Sequence, residues 1–173
     1  MKIGSIAHTI SILVIRIADN SIKSIVPLIK LENSVLTMKN CIIGTDFARN
    51  GTVIDSTNAI VNISDTIASA NAVSYVSFIS AVKSRITIKN SSITTNAETS
   101  VICSADGGNI TAQKNDLLVS GGNGRIAELF GVTASFKDNS FKARLSNSAS
   151  KIQPIYTNKA SKLTEEKNSV QGF

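Results

Sequence analysis

The chain has 173 residues and carries 18 Lys and Arg against 12 Asp and Glu, for a formal net charge of +6. Ile and Ser are its most frequent residue types, Ser, Thr and Asn together make up nearly a third of the chain, and aromatic residues make up 5%. An apolar fraction of 42% excludes an intrinsically disordered chain, two prolines exclude a collagen, and the abundance of Ser and Asn excludes a long coiled coil.

The N-terminal segment before Val26 contains one short apolar run, at residues 10–17, which Arg16 interrupts. The run is shorter than the roughly 18 residues of a membrane span, and no small-residue cleavage site follows it. We therefore predict neither a membrane span nor a signal peptide in this chain. His8 precedes the repeat described next and has no evident Ser or Asp partner, so we assign it no catalytic role.

A short apolar motif recurs along the chain. Its clearest copy has Ile86 and Ile88 at its first two apolar positions and Ile93 at its third. Its middle position falls, in successive copies, at Ile17, Met38, Ile63, Ile88, Ala112, Phe136 and, with the apolar pattern broken, Glu165. The first step is somewhat shorter than the others and the last is longer, while the four central steps are nearly equal. This near-constant spacing predicts a repeat architecture.

Each repeat contains a second apolar element at a constant offset from the middle position. For the four central copies this element falls at Val53, Phe78, Cys103 and Ala127. The runs around the first three are rich in Val and Ile, which favours short strands with one inward side. Gly107–Gly108 and residues 121–124 are turn signals rather than phosphate loops, since no Lys-Ser or Lys-Thr pair completes the pattern.

A unit of about 24 residues with two or three short strands cannot close a core alone, but stacked units can. We therefore predict an all-β parallel β-helix (a solenoid) of about six rungs, with about 24–25 residues per rung and a spacing of about 4.8 Å. One inward ladder is predicted to contain Met38, Ile63, Ile88, Ala112 and Phe136, and its neighbour Leu36, Val61, Ile86, Ile110 and Ala134. At the third apolar position of the copy that contains Ile63, the sequence allows either Ile67 or Ala68.

The repeated segment ITIKNSSI, with its copies LTMKNCII, ITAQKNDL and ASFKDNSF, resembles the right-handed parallel β-helix superfamily with the pectate-lyase-like fold over residues 15–170. The resemblance implies right-handed winding. It also implies that an enzyme of this group would cut or rearrange acidic polysaccharides. The abundance of Ser, Thr and Asn on the outer face resembles the passenger domains of autotransporters and polymorphic outer-membrane proteins. The segments FKDN and GGNI are similar to short repeats of the polymorphic outer-membrane proteins, and the resemblance implies a surface location.

Asn and Asp recur two or three residues after the middle apolar position. The series is Asn40, Asp65, Asn90, Asn115 and Asn139, and Asn20 and Asn168 fit the same window at the ends. Asn and Asp tolerate left-handed backbone and bond to their own backbone, so we predict that these residues turn corners. Stacked amides can also bond to one another along the rod.

Lysines share a phase along the repeat. Lys39, Lys89 and Lys137 each follow the inward middle residue directly, and Lys114 sits one position over. We predict that the first three point outward two rungs apart. The four are the candidate ligand-binding residues, as a basic stripe for a sulfated or uronic glycan, although the favoured interpretation is a solvated face whose charges discourage edge pairing. Aromatic residues do not interleave with the basic ones, so nucleic acid is not a predicted partner.

No pair of carboxylates emerges at one phase in adjacent rungs, so no catalytic residue is assigned. Asp65 has Asn40 and Asn90 at the same position in the adjacent rungs. The next carboxylate at that position is Asp138, which is three rungs away and too distant to form a pair. Cys103 is predicted to be a buried apolar residue and Cys41 to lie at a corner, which makes a disulfide bond between them unexpected. With one histidine and no CxxC pattern, neither a metal nor a cofactor is predicted.

We treat residues 1–173 as a single β-helix domain or a fragment of a longer one. Residues 159–173 are predicted to form a fading last rung or polar cap, because Glu165 takes an inward position. Residues 142–151 are predicted to be a polar insertion that explains the long last step. Open β-helix ends are sheet edges, so end-to-end self-association is a candidate property.

The sequence favours a non-enzymatic structural or binding segment of a surface or secreted protein, namely a stalk, an adhesin or a glycan-contacting surface. Its expected partner is an anionic polysaccharide or a protein of a host or cell surface, and its expected location is extracellular or at the cell surface. The alternative is a polysaccharide lyase or glycoside hydrolase of the pectate-lyase-like fold, or a fragment of one.

Overall fold

The computed structural model describes residues 27–146 and 153–173 with their side chains, and the backbone of three strands within residues 2–19. The predictions made for Asn20, for the side chain of His8 and for residues 147–151 lie outside the described residues.

Every regular element among the described residues is a β-strand. In chain order the strands are β1 (Lys2–Ile3), β2 (Ala7–Ser11), β3 (Val14–Asp19), β4 (Ile29–Glu32), β5 (Val35–Lys39), β6 (Ile42–Phe47), β7 (Asn50–Thr57), β8 (Ile60–Ser64), β9 (Ile67–Asn71), β10 (Tyr75–Lys89), β11 (Ser92–Gln113), β12 (Asp116–Phe130), β13 (Thr133–Lys137), β14 (Ser140–Leu145), β15 (Ile155–Thr157), β16 (Lys162–Glu166) and β17 (Ser169–Gln171).

The strands pair in parallel and form three long sheets. The first sheet stacks β1, β4, β7, the first half of β10, and the segments 99–106, 123–130 and 155–157. The second sheet stacks β2, β5, β8, and the segments 85–89, 109–113, 133–137 and 162–166. The third sheet stacks β3, β6, β9, and the segments 92–96, 116–121, 140–145 and 169–171.

One passage of the chain through the three sheets makes one rung of a β-helix. Within the described residues, five rungs are complete, from residue 29 to residue 145, and three further strands at each end, β1–β3 and β15–β17, continue the stack. The prediction of an all-β parallel β-helix is confirmed. The predicted count of about six rungs differs slightly from these five. Right-handed winding stays a prediction.

The core is a set of aliphatic ladders between the sheets. The inward ladder from Met38 to Phe136 and its neighbour from Leu36 to Ala134 pair as predicted, and all their members are at most 2% exposed. In the third sheet the ladder is Ile43, Ala68, Ile93, Leu117 and Phe141. Ala68 is therefore the inward residue of its rung, and Ile67 points outward with 61% of its surface exposed.

Two register predictions are wrong by small amounts. Ile10, not Ile17, is the partner of Met38, and Ile17 pairs with Thr45 in the third sheet. The error arises because the second and third strands of a rung have the same alternating pattern. In the first sheet Cys103 pairs with Ile79, so the predicted ladder through Val53 and Phe78 is displaced by one residue at that rung.

The predicted insertion at residues 142–151 begins too early. Residues 142–145 belong to β14, where Lys142 pairs with Leu118 on one side and with Gln171 on the other. The additional residues of the long step therefore follow Leu145. Glu165 pairs with Phe136, as its position in the repeat indicates, and it is exposed at the last rung.

The corner between the second and third sheets is a column of residues with left-handed backbone. Its members are Asn40, Asp65, Asn90, Lys114, Asp138 and Lys167, with φ between 50° and 56°. The corner role predicted for the first three is confirmed. Asn115, Asn139 and Asn168 instead lie one residue later in their rungs, in a second column that faces inward. The predicted Asn series therefore combines two columns.

The corner between the first and second sheets has the same geometry. Asn33, Asn58, Lys83, Gly107 and Gly131 all have positive φ there. The predicted turn signal at Gly107–Gly108 accordingly marks a corner, yet β11 stays paired across it. A Cβ atom on Gly108 would collide with the backbone of Ser84 in the neighbouring rung, which is why this position needs glycine.

The inward column beside the second corner is an asparagine ladder. Asn139 Oδ1 accepts hydrogen bonds from both the backbone N–H and the Nδ2 of Asn115, each at 3.0 Å. Its own Nδ2 donates to the carbonyl of Ala112 and to Asn168 Oδ1, also at 3.0 Å. Ser91 extends the ladder upward, since its backbone N–H donates to Asn115 Oδ1 at 2.9 Å. The buried Asn139 amide thus has every donor and acceptor satisfied, as a buried polar group requires.

We predict that N139A lowers the free energy of unfolding by about 3 kcal/mol, because it leaves buried donors of Asn115 without an acceptor. The matched control is N109A, since Asn109 is exposed and its side chain has no hydrogen bond within the described residues. We expect a change of less than about 0.5 kcal/mol for the control. Urea unfolding followed by circular dichroism measures both, and equal effects would contradict the role given to the ladder.

Candidate functional site

The outward side of the second sheet is a flat surface made of three parallel columns, here called the basic face. The first column contains Val35, Ile60, Arg85, Asn109, Thr133 and Lys162. The middle column contains Thr37, Asn62, Thr87, Thr111, Ser135 and Thr164. The third column contains Lys39, Ser64, Lys89, Gln113, Lys137 and Glu166.

The charge of this face is of one sign over most of its length. In the described second-sheet strands from residue 35 to residue 137 there is no Asp or Glu, whereas Lys39, Arg85, Lys89 and Lys137 all occur. Arg85 was missed by sequence reasoning, because it is the only basic residue in its column over these rungs. The sequence did contain a signal for it: Arg85 precedes Lys89 by four residues in one strand, so the two side chains point to the same side of the sheet.

The lysine column brings together three of the four predicted site residues. Lys39 and Lys89 are exposed, and Ser64 lies between them in the stack, so their backbone positions are two rungs or about 9.6 Å apart. Gln113 separates Lys89 from Lys137 in the same way. Within the described residues, neither Lys39 nor Lys89 has an ion-pair partner.

Lys137 lies near the end of the column and differs from the other two lysines. Its Nζ atom contacts Glu166 at 3.0 Å on the next rung. The hydrogen bond and the charge of Glu166 raise the pKa of Lys137 above its ordinary value, so this lysine is protonated at neutral pH. Both side chains are more than 40% exposed, and water therefore weakens the pair and leaves Lys137 open to competition from another anion.

Lys114 is not on the basic face. It occupies the left-handed corner column, where φ is 56°, and its side chain lines a shallow groove with Asp65, Asn90 and Asp116. Asp116 in turn forms an ion pair with Lys142 at 2.9 Å. The structure thus places Lys114 among carboxylates beside the face, whereas the other three lysines share one column.

The middle column of the basic face supplies a hydroxyl or an amide on every rung. In the described part of the chain, none of the side chains of Thr37, Asn62, Thr87, Thr111 and Ser135 has a hydrogen bond to the protein. Their polar groups are therefore available to a ligand at intervals of about 4.8 Å. Sequence reasoning missed this column, although its signal was a Thr, Asn or Ser between the two inward residues of every repeat.

The outward side of the first sheet has a different character. It carries the four acidic residues Glu32, Asp55, Asp106 and Glu128 against two basic residues. Lys30 contacts Glu32 at 3.1 Å, and Arg125 contacts Glu128 at 2.9 Å and lies over the ring of Tyr156. Near its lower end the rings of Phe130 and Tyr156 are 5.7 Å apart. This side is acidic and partly aromatic, so the basic charge of the molecule is not spread evenly around the rod.

The groove at the second corner contains both signs of charge. It is lined by Asp65, Thr66, Ile67, Asn90, Ser91, Ser92, Lys114 and Asp116. Asp65 Oδ1 accepts a hydrogen bond from Asn90 Nδ2 at 3.3 Å. Asp65 and Asp116 belong to different columns and lie two rungs apart, so the sequence pattern of carboxylates at one position in adjacent rungs does not identify them as a pair.

Other kinds of site find little support in the described residues. Cys41 and Cys103 are both buried and neither forms a disulfide bond, and burial raises the pKa of the Cys103 thiol to about 12, which makes it a poor nucleophile. No group of three or more His, Cys, Asp or Glu side chains is placed to hold a metal ion in residues 27–146 and 153–173. The same described part contains no helix that is long and apolar enough to cross a membrane.

Comparison with known proteins yields no relative for this chain: no family model, no curated protein and no solved structure matches it.

Proposed function

We propose that this chain is a non-enzymatic binding segment of a surface or secreted protein, a rigid β-helix whose basic face contacts an anionic polysaccharide. The observation that carries the proposal is the combination of a lysine column and an unbonded hydroxyl column on one flat face. Lysines provide charge attraction at long range, and hydroxyl and amide groups provide the hydrogen bonds that fix a sugar chain.

An extended polysaccharide suits this face better than a compact ligand does. The three columns run the length of the rod, and the described structure offers no deep cavity beneath them. A linear polymer meets many weak contacts in succession, so affinity accumulates along the face even where each contact is small.

The rod itself suits a role as a stalk or adhesin. Every rung is bonded to its neighbours through three parallel sheets, so the basic face keeps its shape when a ligand pulls on it. A host or cell-surface protein with an acidic surface is the alternative partner.

We predict that the triple variant K39Q/K89Q/K137Q binds anionic polysaccharide about tenfold more weakly than the wild type, through loss of the charge column, a change worth about 1.4 kcal/mol. Isothermal titration calorimetry against heparin, chondroitin and polygalacturonate at low and at physiological salt measures the effect. Wild-type binding should weaken as salt rises.

The matched control is K30Q/K142Q/K159Q, which removes the same charge from positions outside the basic face. Its affinity should stay within about twofold of the wild type, since rim charges act mainly through screened long-range attraction. Thermal unfolding checks that both variants fold. An equal loss of affinity in the two variants would show that net charge, and not the basic face, causes the binding. A wild-type chain that binds none of the three polymers would overturn the proposal.

The alternative function is a polysaccharide lyase, and the groove at the second corner is the observation that favours it. The groove joins Asp65 and Asp116 with Lys114. In a lyase, the amine would take the proton from the carbon next to the uronate carboxyl group, and the electron pair left behind would form the C=C bond of the unsaturated product. The bond to the leaving sugar oxygen would break in the same elimination, and that oxygen would take a proton from water.

The binding proposal predicts that the chain releases no unsaturated or reducing-end products from polygalacturonate, alginate or chondroitin. Ultraviolet absorbance and a reducing-sugar assay measure the two product types. Product formation that K114Q or D65N abolishes, and that K89Q preserves, would establish the lyase and contradict the non-enzymatic function.

A further inference from the structure

The spacing of the lysine column restricts the kind of polysaccharide that fits the basic face. We infer that the face selects glycans with one acidic group on every second sugar, lying along the axis of the rod. This inference rests on the proposed function and goes beyond it, because it names the charge pattern that the ligand must have.

The direction of the bound chain follows from the arrangement of the charges. Lys39, Lys89 and Lys137 lie in one column parallel to the axis, with Ser64 and Gln113 between them. A glycan lying across the rod would contact one of these lysines, whereas a glycan lying along it contacts all three. Successive contacts are about 9.6 Å apart, which is the span of two rungs.

The hydroxyl column adds a second period to the same face. Thr37, Asn62, Thr87, Thr111 and Ser135 place one unbonded polar group on each rung, at about 4.8 Å. One extended pyranose unit is close to this length. Each sugar can therefore find one hydrogen-bonding partner, and every second sugar can find one lysine.

Other polyanions match this pattern less well. Along the axis of a DNA helix, the phosphates of one strand recur about every 3.4 Å, which is about a third of the lysine spacing. A polymer with an acid on every sugar would place half of its charges beside Ser64 and Gln113. Those carboxylates would lose water without gaining a cation, which is unfavourable.

The first experiment compares two decasaccharides on the wild-type chain by calorimetry. Unsulfated chondroitin carries one carboxylate per two sugars, and oligogalacturonate carries one per sugar. We expect chondroitin to bind about fivefold more tightly despite its lower charge, a difference of about 1 kcal/mol. Binding of oligogalacturonate at equal or higher affinity would overturn the spacing inference and leave the proposed function in place.

The second experiment changes the spacing at constant net charge. The variant K89Q/Q113K moves the central lysine by one rung, so the charges are three rungs and then one rung apart. We expect about tenfold weaker binding of chondroitin, which corresponds to about 1.4 kcal/mol, and a change within about twofold for oligogalacturonate. An unchanged affinity for chondroitin would overturn the inference.

A further pair of variants tests the hydroxyl column. T87V removes one hydroxyl from the basic face and keeps the β-branched shape, and T94V removes one from the outward side of the third sheet as a control. We expect T87V to weaken chondroitin binding at least about threefold and T94V to leave it unchanged. Equal effects would contradict the inferred contact. If the wild type binds neither decasaccharide, the proposed function fails together with the inference.

Discussion

The structure depends on parallel, in-register pairing between rungs of nearly equal length. Each strand satisfies its backbone hydrogen bonds with the strands one rung above and one rung below, and no rung can do so alone. From β4 to β14 the inward ladders gain one member per rung at a nearly constant interval of chain. A repeat of constant length places equivalent residues directly above one another, so any residue type that recurs in the sequence becomes a column on the surface or in the core.

The inward columns of the core explain why the residue types at the second corner can vary. Inside, the ladders from Met38 and Leu36 exclude water, while Asn115, Asn139 and Asn168 carry the polar backbone groups of the second corner into a closed chain of hydrogen bonds. The left-handed residues of this corner are exposed or half-exposed, and over the whole column they are Asn, Asp or Lys. The asparagine ladder bonds to the carbonyls of Ile88, Ala112 and Phe136, and it therefore supports the second-sheet ends of β10, β11 and β13. Lys89 and Lys137 directly follow two of these residues.

The period, the strand type and the inward ladders could be predicted from the sequence, because burial requires an apolar residue at the same place in every rung. The register of Cys103 could not, since the repeat becomes shorter by a single position between residues 96 and 99, just before the chain enters the first sheet, and nothing in the local sequence marks the change. The division of the Asn series into two columns was also hidden, because adjacent corner positions both accept Asn for different physical reasons. On the basic face, the lysines could be predicted because they recur at one position of the repeat. Arg85 and the hydroxyl column could not, since outward positions have no recurring apolar pattern that identifies them.

The stacked register of the lysine column is the central claim, and a distance between spin labels tests it most directly. In the variant K39C/K137C the labelled positions are separated by four rungs, although more than half of the chain lies between them. The native cysteines are buried and do not compete for the label. Pulsed electron paramagnetic resonance should give one narrow distribution near about 19 Å. A broad distribution, or one centred at more than about twice that distance, would contradict the stacked register and the binding face built on it.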